Sequence, residues 1–105
     1  MATPDGFNQY LTGDIQTATV LIQQALRKGD YTVAAVYADI RLRNLDGKGQ
    51  SCAEAAFWYI KAAMNGDGDV FAYLRTISFE LISDDTTEEE KVKKLTNYFE
   101  NKSST

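Results

Sequence analysis

Gln24-Ala-Leu-Arg-Lys-Gly-Asp30 and Lys61-Ala-Ala-Met-Asn-Gly-Asp67 are two versions of one segment, set 37 residues apart, and each ends in a glycine followed by an aspartate. Glycine adopts the left-handed backbone that closes a helix, and aspartate caps the free N–H groups of the next helix. Gly-Asp therefore reads as a turn between two helices. The register continues past the turn, with Val33 on Val70, Ala35 on Ala72 and Ile40 on Ile77. The predicted unit is a helix, a Gly-Asp turn and a second helix, used twice.

Hydrophobic spacing extends this reading outward, because residues three and four apart share a helix face whereas a strand would use alternate positions. Ile15, Ala18, Leu21, Ile22, Ala25 and Leu26 form the stripe before the first turn, and Val33, Val36, Tyr37 and Ile40 the stripe after it. Ala55, Trp58, Tyr59 and Ala62 precede the second turn; Val70, Leu74, Ile77 and Leu81 follow it. Val92, Leu95 and Phe99 mark a fifth helix. Ser51 with Glu54 and Thr87 with Glu90 have capping-box spacing, whereas Asp14 is an N-cap alone because Thr17 cannot complete the box. The predicted organisation is a single all-α domain over 1–105: a lead-in at 1–13, pair one at 14–44, pair two at 51–82, and a capping helix at 87–101. The glycine-rich stretch from Asn44 to Gln50 reads as a loose, flexible connection, and Lys102 to Thr105 as a frayed end.

The chain has 105 residues, 44% apolar and 25% charged, which suits one globular domain with a modest core. It has one proline and no histidine, so long helices are favoured and the commonest general base and metal ligand is missing. The net charge is −4, with the acidity in the second half, a balance that disfavours nucleic acid and anionic membranes and suits a partner with a basic surface. Cys52 is the only cysteine, no secretory leader pattern opens the sequence, and no apolar run approaches the roughly 18 residues of a membrane span. A cytoplasmic protein is expected.

The stretch Ala53-Glu-Ala-Ala-Phe-Trp-Tyr-Ile-Lys-Ala-Ala-Met-Asn-Gly66 resembles the Sel-one-like repeat, a relative of the tetratricopeptide repeat. Ala55, Trp58, Tyr59, Lys61, Ala62, Ala63 and Gly66 match its Ala-x-x-Trp-Tyr-x-Lys-Ala-Ala-x-x-Gly pattern, and the resemblance extends over residues 14–82. The family's small close-approach position falls on Ala38 in one copy and on Arg75 in the next, and the copy from Ala18 to Gly29 lacks the Trp-Tyr. The resemblance implies a short right-handed stack of antiparallel helix pairs with a concave face, serving as a protein-binding adaptor or assembly scaffold. With fewer than three full pairs, a second copy or a foreign partner would complete the surface.

Residue by residue, structural readings outweigh catalytic ones. Trp58 and Tyr59 lie on a helical stripe and read as packing between helices. Cys52 sits in a first helical turn, where a thiol can be activated, but there is no histidine to act as its base. Gly66-Asp-Gly-Asp69 lacks the continuing oxygen ligands of a calcium loop, and the segment from Asp46 to Ser51 lacks the phosphate-loop order. Asp84, Asp85, Glu88, Glu89 and Glu90 read as a solvated helix start. No cofactor, metal or enzymatic activity is expected. The face of each second helix turned away from its stripe presents Tyr31, Asp39 and Arg43, then Thr76 and Phe79, as the partner-contact residues. The expected function is protein binding, with a bacterial regulator, a toxin-blocking immunity protein and a secretion chaperone as the forms considered. The rivals are a self-assembling structural subunit and an enzyme with no recognisable site.

Overall fold

A computed structural model describes residues 6–103, all of whose regular structure is helical. Six α-helices follow one another: α1 (Phe7–Thr12), α2 (Ile15–Arg27), α3 (Ala34–Leu42), α4 (Cys52–Met64), α5 (Gly68–Ile77) and α6 (Glu88–Ser103). Short 3-10 turns at Tyr31–Val33 and Phe79–Leu81 precede α3 and follow α5. All three predicted caps are made. Asp14 accepts from the Thr17 N–H at 3.3 Å, Ser51 from Glu54 at 3.2 Å and Thr87 from Glu90 at 3.1 Å. At Ser51 the box is not closed reciprocally, because the Ser51 N–H donates to the Arg41 carbonyl and the Glu54 carboxylate accepts from Arg41. Ser51→Ala is expected to lower stability by about 1 kcal/mol, read as a shifted urea midpoint at unchanged slope.

The two Gly-Asp turns are built alike. Gly29 and Gly66 take φ of 83° and 98°, and the next N–H reaches back across each glycine, from Asp30 to the Ala25 carbonyl and from Asp67 to that of Ala62, both at 3.0 Å. Each aspartate then caps the next helical segment, Asp30 through the Thr32 N–H and Asp67 through that of Val70, both at 3.1 Å. The donor, the acceptor and the capping aspartate thus repeat at the period read from the sequence, while the capped N–H lies two residues on in the first turn and three in the second.

Four boundaries differ from expectation. The lead-in contains α1, closed by Gly13 in the left-handed region, while residues 1–5 lie outside the described part. The helix after the second turn stops at Ile77, because Ser78 is extended and its hydroxyl accepts from the Glu80 N–H; Leu81 is buried from a 3-10 turn instead. The last helix continues through Lys102 to Ser103, and residues 104–105 lie outside the description.

The fourth difference is the segment from Asn44 to Gln50, which is anchored rather than loose. Asn44, at φ 54°, closes α3, and its side-chain oxygen accepts from the Gly49 N–H at 2.7 Å. The Gln50 amide donates to the Leu42 carbonyl at 2.8 Å. Asp46 turns inward, its carboxylate held by Arg41 Nη1 at 3.1 and 3.3 Å.

The helices pack around α4, which lies mainly against α3 on one side and α6 on the other, with α5 folded back on it. Ile22, Ile40, Ile60, Leu74, Leu81 and Leu95 are the largest fully buried side chains. The molecule measures 36 × 33 × 21 Å, and its thin dimension equals about two helix diameters. The junctions on either side of pair two are not equivalent. Pair one meets α4 through α3, whereas α6 lies along α4 and scarcely touches α5. The aligned residues Ala38 and Arg75 differ in the same sense: Ala38 is wholly buried on α3, while Arg75 is exposed on α5.

Candidate partner-binding cleft

Trp58 and Tyr59 are half-buried and packed on the core, and as neighbours on one helix they face different elements. The Trp58 ring meets Tyr37 edge-on at 5.9 Å and Tyr31 at 6.3 Å, joining α4 to pair one. Tyr59 turns the other way, with its ring 6.0 Å from Tyr73 on α5 and 5.8 Å from Phe99 on α6. Tyr98 extends this aromatic layer at 5.9 Å from Phe99.

A cleft of about 610 Å³ opens beside the layer, where the end of α3 and its following loop approach α5 and the last turn of α6. Leu42, Tyr73 and Phe99 supply its apolar wall, while Arg43, Lys102, Asn44 and Gln50 supply polar groups. None of the described lining residues is acidic, although the Asp39 carboxylate is bound to the Arg43 guanidinium. Arg43 is held in place: its Nη1 donates to Asp39 at 3.1 Å, and Asp39 also accepts from the Tyr10 hydroxyl, which ties α1 to α3. Asn44 spends its carbonyl oxygen on the Gly49 N–H, so the amide nitrogen is the donor end of that side chain.

The phenols around this site stay neutral well past physiological pH. Tyr10 is raised above the ordinary value, chiefly by its hydrogen bond to Asp39. Tyr59 is pushed up strongly by burial, with the Asp39 charge adding to the effect. Tyr73 is raised by burial and by Tyr98, against the opposing charge of Lys102. A phenol with a raised folded-state pKa holds its proton after the unfolded chain has lost its own. Its contribution is therefore intact below about pH 10 and is lost as pH rises from there. Alkaline melts should show stability falling above about pH 10, with a shallower fall in Tyr59→Phe.

Of the five partner-contact residues expected from the sequence, the structure joins Asp39 and Arg43 directly and sets Arg43 in the cleft. Thr76 is exposed and donates to the carbonyl of Tyr73, a cleft residue, at 2.6 Å. Tyr31 is half-buried on Trp58, so much of its ring is committed to packing. Phe79 stands in the 3-10 turn after α5 and is 69% exposed. Tyr73, Phe99, Asn44, Gln50 and Lys102 are cleft residues that the sequence does not single out; only the positive-φ demand on the loop hints at Asn44.

The remaining sequence features have local roles. Cys52 is half-buried in the first turn of α4. The Asp67 carboxylate caps α5, and no group of three or more His, Cys, Asp or Glu among the described residues is placed to hold a metal ion. The acidic start of α6 is partly neutralised, with Lys61 Nζ 2.8 Å from Glu88 and 5.5 Å from the Phe57 ring centroid. No described helix is long and apolar enough to cross a membrane. Comparison with protein-family models, curated proteins and solved structures gave no match to this chain.

Proposed function

We propose that this chain is a non-enzymatic adaptor that holds a partner polypeptide on the surface formed by α5, the turn after it and the neighbouring cleft. The observation that carries this reading is how little of α5 is buried and how many large aromatics it and the following turn leave exposed. Only Val70 and Leu74 of that helix are buried, and Phe71, Tyr73 and the following Phe79 remain 42%, 40% and 69% exposed. Phe71 and Tyr73, two positions apart, point to different sides of α5 and line different clefts, so the helix and its following turn present more than one exposed aromatic of the kind that anchors protein interfaces. The proposal includes the relation to Sel-one-like repeats, a right-handed stacking of the helix pairs, and work in the bacterial cytoplasm as a regulator, immunity protein or secretion chaperone. The glutamate-rich start of α6 would favour a partner with a basic patch at that end.

The test is tandem affinity purification from the native source, using the wild type and a Phe71→Ser/Phe79→Ser variant. A foreign polypeptide recovered stoichiometrically with the wild type and lost from the variant is expected. Recovery of the chain with itself alone would instead favour a self-assembling subunit. Equal recovery of the foreign polypeptide with both proteins would remove α5 from the interface.

A further inference from the structure

We infer that a second cleft, where the end of α4, α5 and the start of α6 meet, binds a free α-amino acid with an apolar side chain. It shares no described lining residue with the cleft beside Arg43, and it does not depend on whether α5 docks a partner. Its volume is about 280 Å³. Met64, Phe71, Leu81 and Ile82 wall it with apolar surface, and Asp84 and Lys91 are the charged groups among its described lining residues.

Lys91 carries the inference. Its side chain is buried, at 7% exposure, yet its ammonium makes no hydrogen bond or ion pair with any described residue. Helix α6 begins at Glu88, so Lys91 is also a cation near the positive end of the helix dipole, where positive charge is disfavoured. A covered charge normally has a partner, and a chain departs from such rules where a site is built. Asp84 lines the same cleft, and its carboxylate likewise has no hydrogen bond or ion pair with a described residue. Two opposite charges therefore line one small cleft without meeting each other. A simple carboxylate drawn to Lys91 would be opposed by Asp84, and a simple cation drawn to Asp84 would be opposed by Lys91. An α-amino acid carries both countercharges on one carbon, so its carboxylate satisfies Lys91 and its ammonium satisfies Asp84 by charge-assisted hydrogen bonds. Its side chain then lies against Phe71 and Met64, which are 42% and 54% exposed and have apolar surface left to cover. The volume falls at the small end of ligand pockets, which run from roughly 300 to 1,000 Å³, and suits one residue rather than a peptide.

The test is a two-dimensional amide NMR titration of the intact chain with L-leucine, N-acetyl-L-leucine and L-leucinamide. The two blocked forms stand for the last and first residues of a polypeptide, so they separate a free amino acid from a chain end. L-Leucine is expected to give saturable shifts in the millimolar range, centred on Met64, Phe71, Asp84 and Lys91. Each blocked form should bind about tenfold more weakly, because it lacks one of the two charges. Lys91→Met keeps an unbranched stem and removes the unpaired charge, so it should fold at least as stably as wild type. It should bind leucine about tenfold more weakly than wild type does, and no better than leucinamide. Asp84→Asn, at an exposed position that the fold does not depend on, should in the same way bind leucine no better than N-acetyl-leucine, and it carries the test alone if Lys91→Met does not fold. Arg43→Gln, in the other cleft, should leave the titration unchanged. A lysine whose stem merely covers the core would give a Lys91→Met that binds leucine as wild type does, and that result would overturn the inference. Equal binding of leucine and either blocked form by the wild type, shifts centred elsewhere, or no saturable shifts in the millimolar range would overturn it as well.

Discussion

Ala38→Arg should lose about 4 kcal/mol of stability or more, whereas Arg75→Ala should stay within about 0.5 kcal/mol of wild type. The two positions are aligned by the internal period, so the contrast tests what that repetition does and does not conserve. Ala38 is wholly buried on α3, and a guanidinium there would combine overpacking with an unpaired buried charge. A loss of that size is a large share of the roughly 5–15 kcal/mol typical of a whole domain. Arg75 is exposed on α5, the helix that α6 scarcely touches. Chemical denaturation of both variants decides the matter, and comparable losses would mean that the aligned positions occupy similar environments.

Arg41→Met is expected to cost about 3 kcal/mol, because it leaves Asp46 buried without its countercharge. Their side chains are only 13% and 5% exposed, and Arg41 also donates through Nε to Glu54 at 2.6 Å. Burial works against the guanidinium charge, but Glu54 and Asp46 more than offset it, and the group is held protonated more firmly than usual. Removing both charges in Arg41→Met/Asp46→Leu should recover part of the loss, since a matched apolar pair leaves no stranded ion. The double-mutant cycle, read from urea midpoints, isolates the coupling from the separate costs of each replacement. A double variant as unstable as the sum of the single ones would place the main role of these residues elsewhere.

The helix starts and the Gly-Asp turns were legible because each depends on residues within five positions of one another. Asp14, Ser51 and Thr87 cap the N–H groups three residues on, and Gly29 and Gly66 reverse the chain through their own backbone freedom. The break at Ser78 was missed because apolar spacing continues through it to Leu81, and the competing serine hydroxyl leaves no mark on that periodicity. The anchored loop was missed for a different reason. Its glycines do signal turns, but what fixes it is Asp46 meeting Arg41 across the end of a helix. The site was less legible still. Tyr10 and Asp39 are 29 positions apart, and the cleft draws on α5, α6 and the loop after α3. Arg43 could be picked out as a helix-face residue, but Tyr73 and Phe99 become its neighbours only once α5 and α6 are both folded against α4.

Site-specific photocrosslinking in the native source tests most directly whether this surface holds another polypeptide. Benzoylphenylalanine is placed at Tyr73, inside the cleft, and in a separate protein at Val20, which is 53% exposed on α2. The predicted result is one dominant covalent adduct with a foreign polypeptide from position 73 and none from position 20. A foreign adduct from position 20 alone, or no adduct from position 73 in a correctly folded chain, would contradict it.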